Sequence, residues 1–209
     1  MLTDLSPLNL LVVLVSLVVG LTVHEAMHGF VAHWLGDDTA HREGRLTLNP
    51  LAHIDVLTTI LLPMVMIILH APPILAAKPV PFNPDRLKFD EWGAALVGLA
   101  GPLTNLALAA LAAVVWRLTG GDLNANITDA IVTFAAINVG LFVFNMIPFP
   151  PLDGSRILYV FAPEPVRRVM EQIEAMGFLF LLAIIFFGFQ FISGPITNIQ
   201  QAILRFLLV

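Results

Sequence analysis

The sequence predicts an all-α membrane protein: a polytopic helical bundle of about four to six membrane segments, with short extended or β segments near one membrane face and one proline-broken helix. Three observations carry this. Hydrophobic residues fill 58% of the 209 positions and charged residues 12%, with a mean hydropathy of +0.88, whereas a soluble domain carries about 25% charged residues. Five stretches, 5–23, 56–77, 92–116, 130–152 and 175–204, contain no Asp, Glu, Lys or Arg, and a spanning helix needs about 20 apolar residues. The fourth stretch ends in Pro148, Pro150 and Pro151, too many prolines for a helix to continue. Lipid is therefore the solvent for much of the chain. A soluble enzyme, a disordered chain and a nucleic-acid binder are excluded, and a net charge of −5 offers polyanions no basic footprint. The absence of cysteine excludes disulfides, iron–sulfur clusters and thiolate metal sites. A single membrane domain over 1–209 is expected, without a large soluble appendage.

The first stretch has no basic segment before it, and its apolar pattern runs on through Phe30 and Val31. It reads as a membrane helix, not a cleavable signal. Basic residues collect at Arg42 and Arg45, at Lys78, Arg86 and Lys88, and at Arg156, Arg167 and Arg168. Arg117, by contrast, is offset by Asp122 and Asp129. The positive-inside rule then puts the first three basic gaps in the cytoplasm and the N-terminus outside. Stretch 56–77 has basic residues at both ends, so it crosses twice or re-enters, and Pro63, Pro72 and Pro73 bend it. Segments 44–50 and 77–84 read as strands or extended loops. They serve either as interfacial connections or, at Arg45–Leu48, as an open strand edge for an extended peptide. Ser193, Gly194 and Pro195 interrupt the last stretch and predict a separate short helix over 196–209. Phe178, Phe180, Phe186, Phe187, Phe189 and Phe191 are lipid-facing or core aromatics.

The chemistry is concentrated in two places. His24-Glu25-Ala26-Met27-His28 puts two imidazoles four residues apart, on one helix face and within reach of one Zn²⁺. Glu25 stands beside them, where a carboxylate can take a proton from water activated by the ion. Ionisable groups at the end of a membrane helix are costly and usually functional; the bland alternative is a set of polar residues marking the helix end. A catalytic zinc takes a third protein ligand. His33 is turned away from His24, and His41, His53 and His70 lie in or beside gaps. Asp153 follows the proline-broken segment, whose irregular backbone implies a cavity at membrane depth. As an alternative it caps the helix that starts near Ser155.

The pairing of His24–His28 with Asn145-x-x-Pro148-x-Pro150-x-Leu152-Asp153-Gly154 resembles the site-2 protease family of intramembrane zinc metalloproteases. Ala100-Gly101-Pro102-Leu103-Thr104-Asn105 adds that family's A-G-P-x-x-N element, in the family's order. The resemblance spans 24–154 and points to the compact type, without a PDZ-like or nucleotide-binding domain. It implies that His24, His28 and Asp153 ligate one zinc ion, that Glu25 is the general base, and that Asn145 orients substrate or stabilises an oxyanion. Asn105 serves in helix–helix hydrogen bonding or in catalysis. The implied activity is hydrolysis of peptide bonds within or next to transmembrane segments of other membrane proteins. The implied setting is the lipid bilayer of the cell membrane, entered by several passes, with the oligomeric state left open. The competing readings are a membrane metal-binding or transport protein and a non-catalytic helix-binding adaptor. A transporter distributes ionisable groups along a path through several spans, whereas here they cluster in two motifs.

Overall fold

The computed structural model describes residues 6–55, 59, 77–119, 123–177, 182–183 and 188–208. Helix α1 (Pro7–Trp34) starts where Ser6 accepts the Asn9 N–H and Pro7 takes the first helical position. Its 28 residues measure about 42 Å at ~1.5 Å per residue, more than the ~30 Å hydrocarbon core. A short helix, α2 (Thr39–Arg42), and 3₁₀ turns at Pro50–His53 and Pro84–Arg86 precede α3 (Asp90–Leu118). Next come α4 (Ala125–Asn145), α5 (Ser155–Phe161), α6 (Glu164–Met176) and α7 (Phe189–Leu208). Among the described residues, α1, α3 and α4 are long and apolar enough to cross a membrane.

These three pack on one another as the core bundle. Gly93, Ala94, Gly98, Gly101, Ala109 and Ala113 are buried on α3. Small side chains let helix backbones approach where lipid gives no hydrophobic drive for association. One apolar cluster joins Ala109 to Ala135, Val139 and Val143, with Ile196, Ile203, Leu204 and Leu207 of α7 packed over it. The Trp116 indole N–H donates to Leu208 O at 3.2 Å and Arg117 Nη2 to Phe206 O at 2.9 Å. The last carbonyls of α7 thus receive donors that its own helix lacks.

Two expectations change. No strand forms among the described residues. Residues 43–47 make turns and bends, and 77–83 is irregular. The Arg45 guanidinium explains this, turning inward to donate to Ala52 O and to Lys78 O (2.5 Å) and Pro79 O (3.3 Å). The Lys78 and Pro79 carbonyls are thereby taken, and Pro79 and Pro81 offer a ladder no N–H. The predicted break at Ser193-Gly194-Pro195 is also absent, for α7 runs through Pro195. Ile196, Ile203, Leu204 and Leu207, on the far side of the proline, pack on the α3–α4 cluster as one helical face. The second stretch, with His70 in it, lies almost wholly outside the described residues. The residues flanking it are described, and Lys78 N donates to His53 O at 2.8 Å, so 53 and 78 lie side by side.

Candidate metal centre

His24 and His28 stand one turn apart on α1, 4% and 7% exposed. Their Nε2 atoms are 3.0 Å apart. Asp153 Oδ2 lies 3.0 Å from His24 Nε2 and 3.4 Å from His28 Nε2. Asp153 reaches them because the prolines end α4 at Asn145 and the chain doubles back, with Gly154 N donating to Asn145 O at 2.7 Å. Only glycine fits there: a Cβ on Gly154 would stand 2.5 Å from Met146 O. Gly154 is itself the N-cap of α5, which has no side-chain cap, so the capping alternative for Asp153 does not hold.

The protons show what this cluster requires. His28 Nδ1 lies 2.7 Å from Val97 O, a pure acceptor, and His24 Nδ1 lies 2.6 Å from Asn105 Oδ1. Each imidazole therefore donates from Nδ1 and presents a lone pair from Nε2. Two such lone pairs and a buried carboxylate oxygen that receives no hydrogen bond meet at one point. Left to themselves they repel, and a divalent cation satisfies all three. Two imidazole nitrogens and one carboxylate oxygen are the donor set of a catalytic zinc, leaving one position open. Helix α3 makes room through Gly101, where a Cβ would sit 2.4 Å from His28 Nε2 and 2.7 Å from His24 Nε2.

Glu25 faces the same space, its Oε2 accepting the Val80 N–H at 3.0 Å. A cavity of about 1160 Å³ runs from His24, His28 and Asp153 between α1 and α4, past Leu17, Leu21, Ile137, Leu141 and Asn145.

A family model described as Peptidase family M50 matches residues 120–188. Over 190 residues the chain is 38% identical to the protein named "Putative zinc metalloprotease YwhC" of Bacillus subtilis (strain 168), an alignment covering 85% of this chain and 82% of that protein. The chain belongs to peptidase family M50, the site-2 proteases. Two proteins named "Putative zinc metalloprotease Rip2" are also similar. That of Mycolicibacterium smegmatis is 27% identical over 180 residues, 84% of this chain and 66% of the relative. That of Mycobacterium tuberculosis (strain ATCC 25618 / H37Rv) is 28% identical over 177 residues, 82% of this chain and 65% of the relative. The chain thus spans just under two thirds of the Rip2 length. No solved structure matches it significantly.

This M50 protein is a zinc metalloprotease carrying membrane-spanning helices. Of the histidines the sequence offered, only His24 and His28 join the cluster among the described residues. His33 Nδ1 lies 2.8 Å from Asp38 Oδ1, its ring 5.4 Å from that of His41, and buried His53 donates from Nε2 to Thr47 O at 2.9 Å. Asn145 lines the cavity, but its Nδ2 donates to Leu141 O at 3.0 Å, one turn back on α4. Asn105 bridges helices, the first of the two roles foreseen for it, with Nδ2 donating to Gly20 O and Asn138 Oδ1, and its Oδ1 touches a site imidazole. Its partner Asn138 escaped the sequence reading. The one available signal was a lone amide in an otherwise apolar stretch of α4, the kind of group lipid makes costly.

Proposed function

We propose that this M50 peptidase is an intramembrane endopeptidase that hydrolyses peptide bonds within or next to transmembrane segments of other membrane proteins. One zinc ion is held by His24, His28 and Asp153, and Glu25 is the general base. The observation that supports this most is the meeting of two Nε2 lone pairs and one undonated carboxylate oxygen, within 3.4 Å of one another, at the head of an apolar cavity.

Zinc, when bound, supplies Lewis acidity toward the scissile carbonyl and lowers the pKa of water toward about 7. The chain's own residues do the rest. The apolar walls from α1 and α4 accept hydrophobic side chains, and the polar head of the cavity admits the water that lipid withholds. Glu25 takes a proton from the attacking water and returns it to the leaving amine. Its Oε2 is tethered by the Val80 N–H, which leaves Oε1 to work. Asn145 orients the substrate or donates to the developing oxyanion. The Leu141 bond uses one of the two Nδ2 protons, which leaves the other proton and Oδ1 for either role. The substrate must unwind locally, since helical carbonyls are bonded within their own segment. The Arg45–Leu48 edge considered for the unwound stretch does not exist as a strand, and Pro79, Val80 and Pro81 line the cavity instead.

The test is cleavage of a panel of single-span substrates in proteoliposomes, with zinc content measured in parallel. Glu25→Gln should keep its zinc and lose about 10²- to 10⁴-fold in rate. Equal cleavage by both proteins removes Glu25 as the general base, and zinc retention without cleavage by the wild type favours the metal-binding or adaptor reading.

A further inference from the structure

Asn105 on α3 and Asn138 on α4 have no solvent exposure, and buried amides without partners are costly. Their bonds run in one direction. Phe134 O accepts, so the Asn138 atom 2.9 Å from it is the amide nitrogen, and Asn138 Oδ1 faces Asn105 at 3.0 Å. Gly20 O, 3.1 Å from Asn105 Nδ2, also demands a donor. Two acceptors thus hold the Asn105 nitrogen on one side and turn its oxygen to His24 Nδ1. An acceptor there keeps the imidazole proton on Nδ1 and the lone pair on Nε2.

We propose that Asn138 is a positioning residue of the metal centre: acting through Asn105, it locks His24 in the tautomer whose Nε2 faces His28 and Asp153. This rests on the zinc-peptidase reading. Without Asn138, only Gly20 O opposes a flip of the Asn105 amide, which would present nitrogen to His24 and move the imidazole proton to Nε2.

The probe is Co²⁺ on the full chain in detergent micelles, read by chelator competition and by visible absorption. Asn138→Leu fills the same space without an acceptor and should lower Co²⁺ affinity about 10- to 100-fold with an altered spectrum. Asn138→Asp, with its buried carboxyl protonated, keeps one donor and one acceptor and should restore both towards wild type. Wild-type affinity and spectrum in Asn138→Leu, or lowered thermal stability alone, overturns the proposal and leaves the peptidase reading standing. A wild type that binds no Co²⁺ overturns both. Should Asn138→Leu not fold, imidazole ¹⁵N shifts of the metal-free wild type decide: protonation of His24 at Nδ1 is expected, and at Nε2 overturns the proposal.

Discussion

At Gly101 the site has no room for a methyl group. A Cβ there would stand 2.4 Å from His28 Nε2, inside any real contact distance and on the atom offered to the metal. Gly101→Ala is therefore expected to leave a folded bundle whose zinc affinity falls at least about 10-fold. Equilibrium dialysis against zinc checks this, and wild-type affinity would mean that α3 can retreat. The residues of the site differ in how far the sequence disclosed them. His24, Glu25 and His28 were legible because helix geometry fixes what residues four apart can share. Asp153 was legible because prolines and Gly154 break a membrane helix only where protein or water can receive the freed backbone. Gly101 appeared only as a letter of a motif, since the reason for its smallness lies on α1, more than seventy positions away. Asn138 was invisible for the same reason: a lone amide does not name its partner.

Among the elements, the loops between α1 and α3 depend on two buried charged residues. Arg45 ties 45–52 to 78–79, and this inward turn decides for loop over strand among the two readings of 44–50, because periodicity cannot foresee a guanidinium claiming the carbonyls. Asp37, wholly buried, accepts from Asn83 N (2.6 Å), Thr39 N (3.1 Å) and Thr39 Oγ1 (2.6 Å), joining the end of α1 to the segment before α3. Burial would raise its pKa. The Thr39 hydroxyl, the two backbone N–H groups and the nearby Arg86 charge outweigh this and hold the carboxyl below its usual range. A depressed folded-state pKa contributes stability above the unfolded value of about 3.9, and that contribution is lost as pH falls through the folded value. Asp37→Asn turns an amide N–H against a backbone N–H and should cost about 1–3 kcal/mol at pH 7. The gap between the thermal melts of the two proteins should begin to close as pH falls below about 4 and vanish below the folded-state pKa; a gap constant across pH would contradict a role for the carboxylate charge. The continuous α7 was unreadable for a different reason, since the packing of Ile196, Ile203, Leu204 and Leu207 on the α3–α4 cluster is a tertiary contact that a proline in the sequence does not foretell.

For the whole molecule, the bundle sets sidedness. Lys88 N donates to Leu35 O at 2.8 Å, and Lys78 N donates to His53 O at the same distance. The end of α1 lies beside the start of α3, and His53 lies beside Lys78, while Leu118 and Ala125 lie at the far ends of α3 and α4. Reporter fusions at 40 and 80 should report the same compartment, cytoplasmic by positive-inside counting, and a fusion at 124 the opposite one. An outward-facing 80 refutes this layout. Hydropathy disclosed the three-helix core because lipid demands long uncharged helices, whereas the closeness of α3 to α1 depended on small residues whose partners no pattern reveals. The proposed hydrolase stands or falls with one ion shared by the first helix and the proline-broken loop. The deciding measurement is zinc analysis of purified wild type and Asp153→Ala, with X-ray absorption at the zinc edge. About one zinc per chain with two imidazole ligands in the wild type, and its loss in the variant, is the predicted result. Equal zinc in both proteins, or zinc without imidazole ligation, would contradict it.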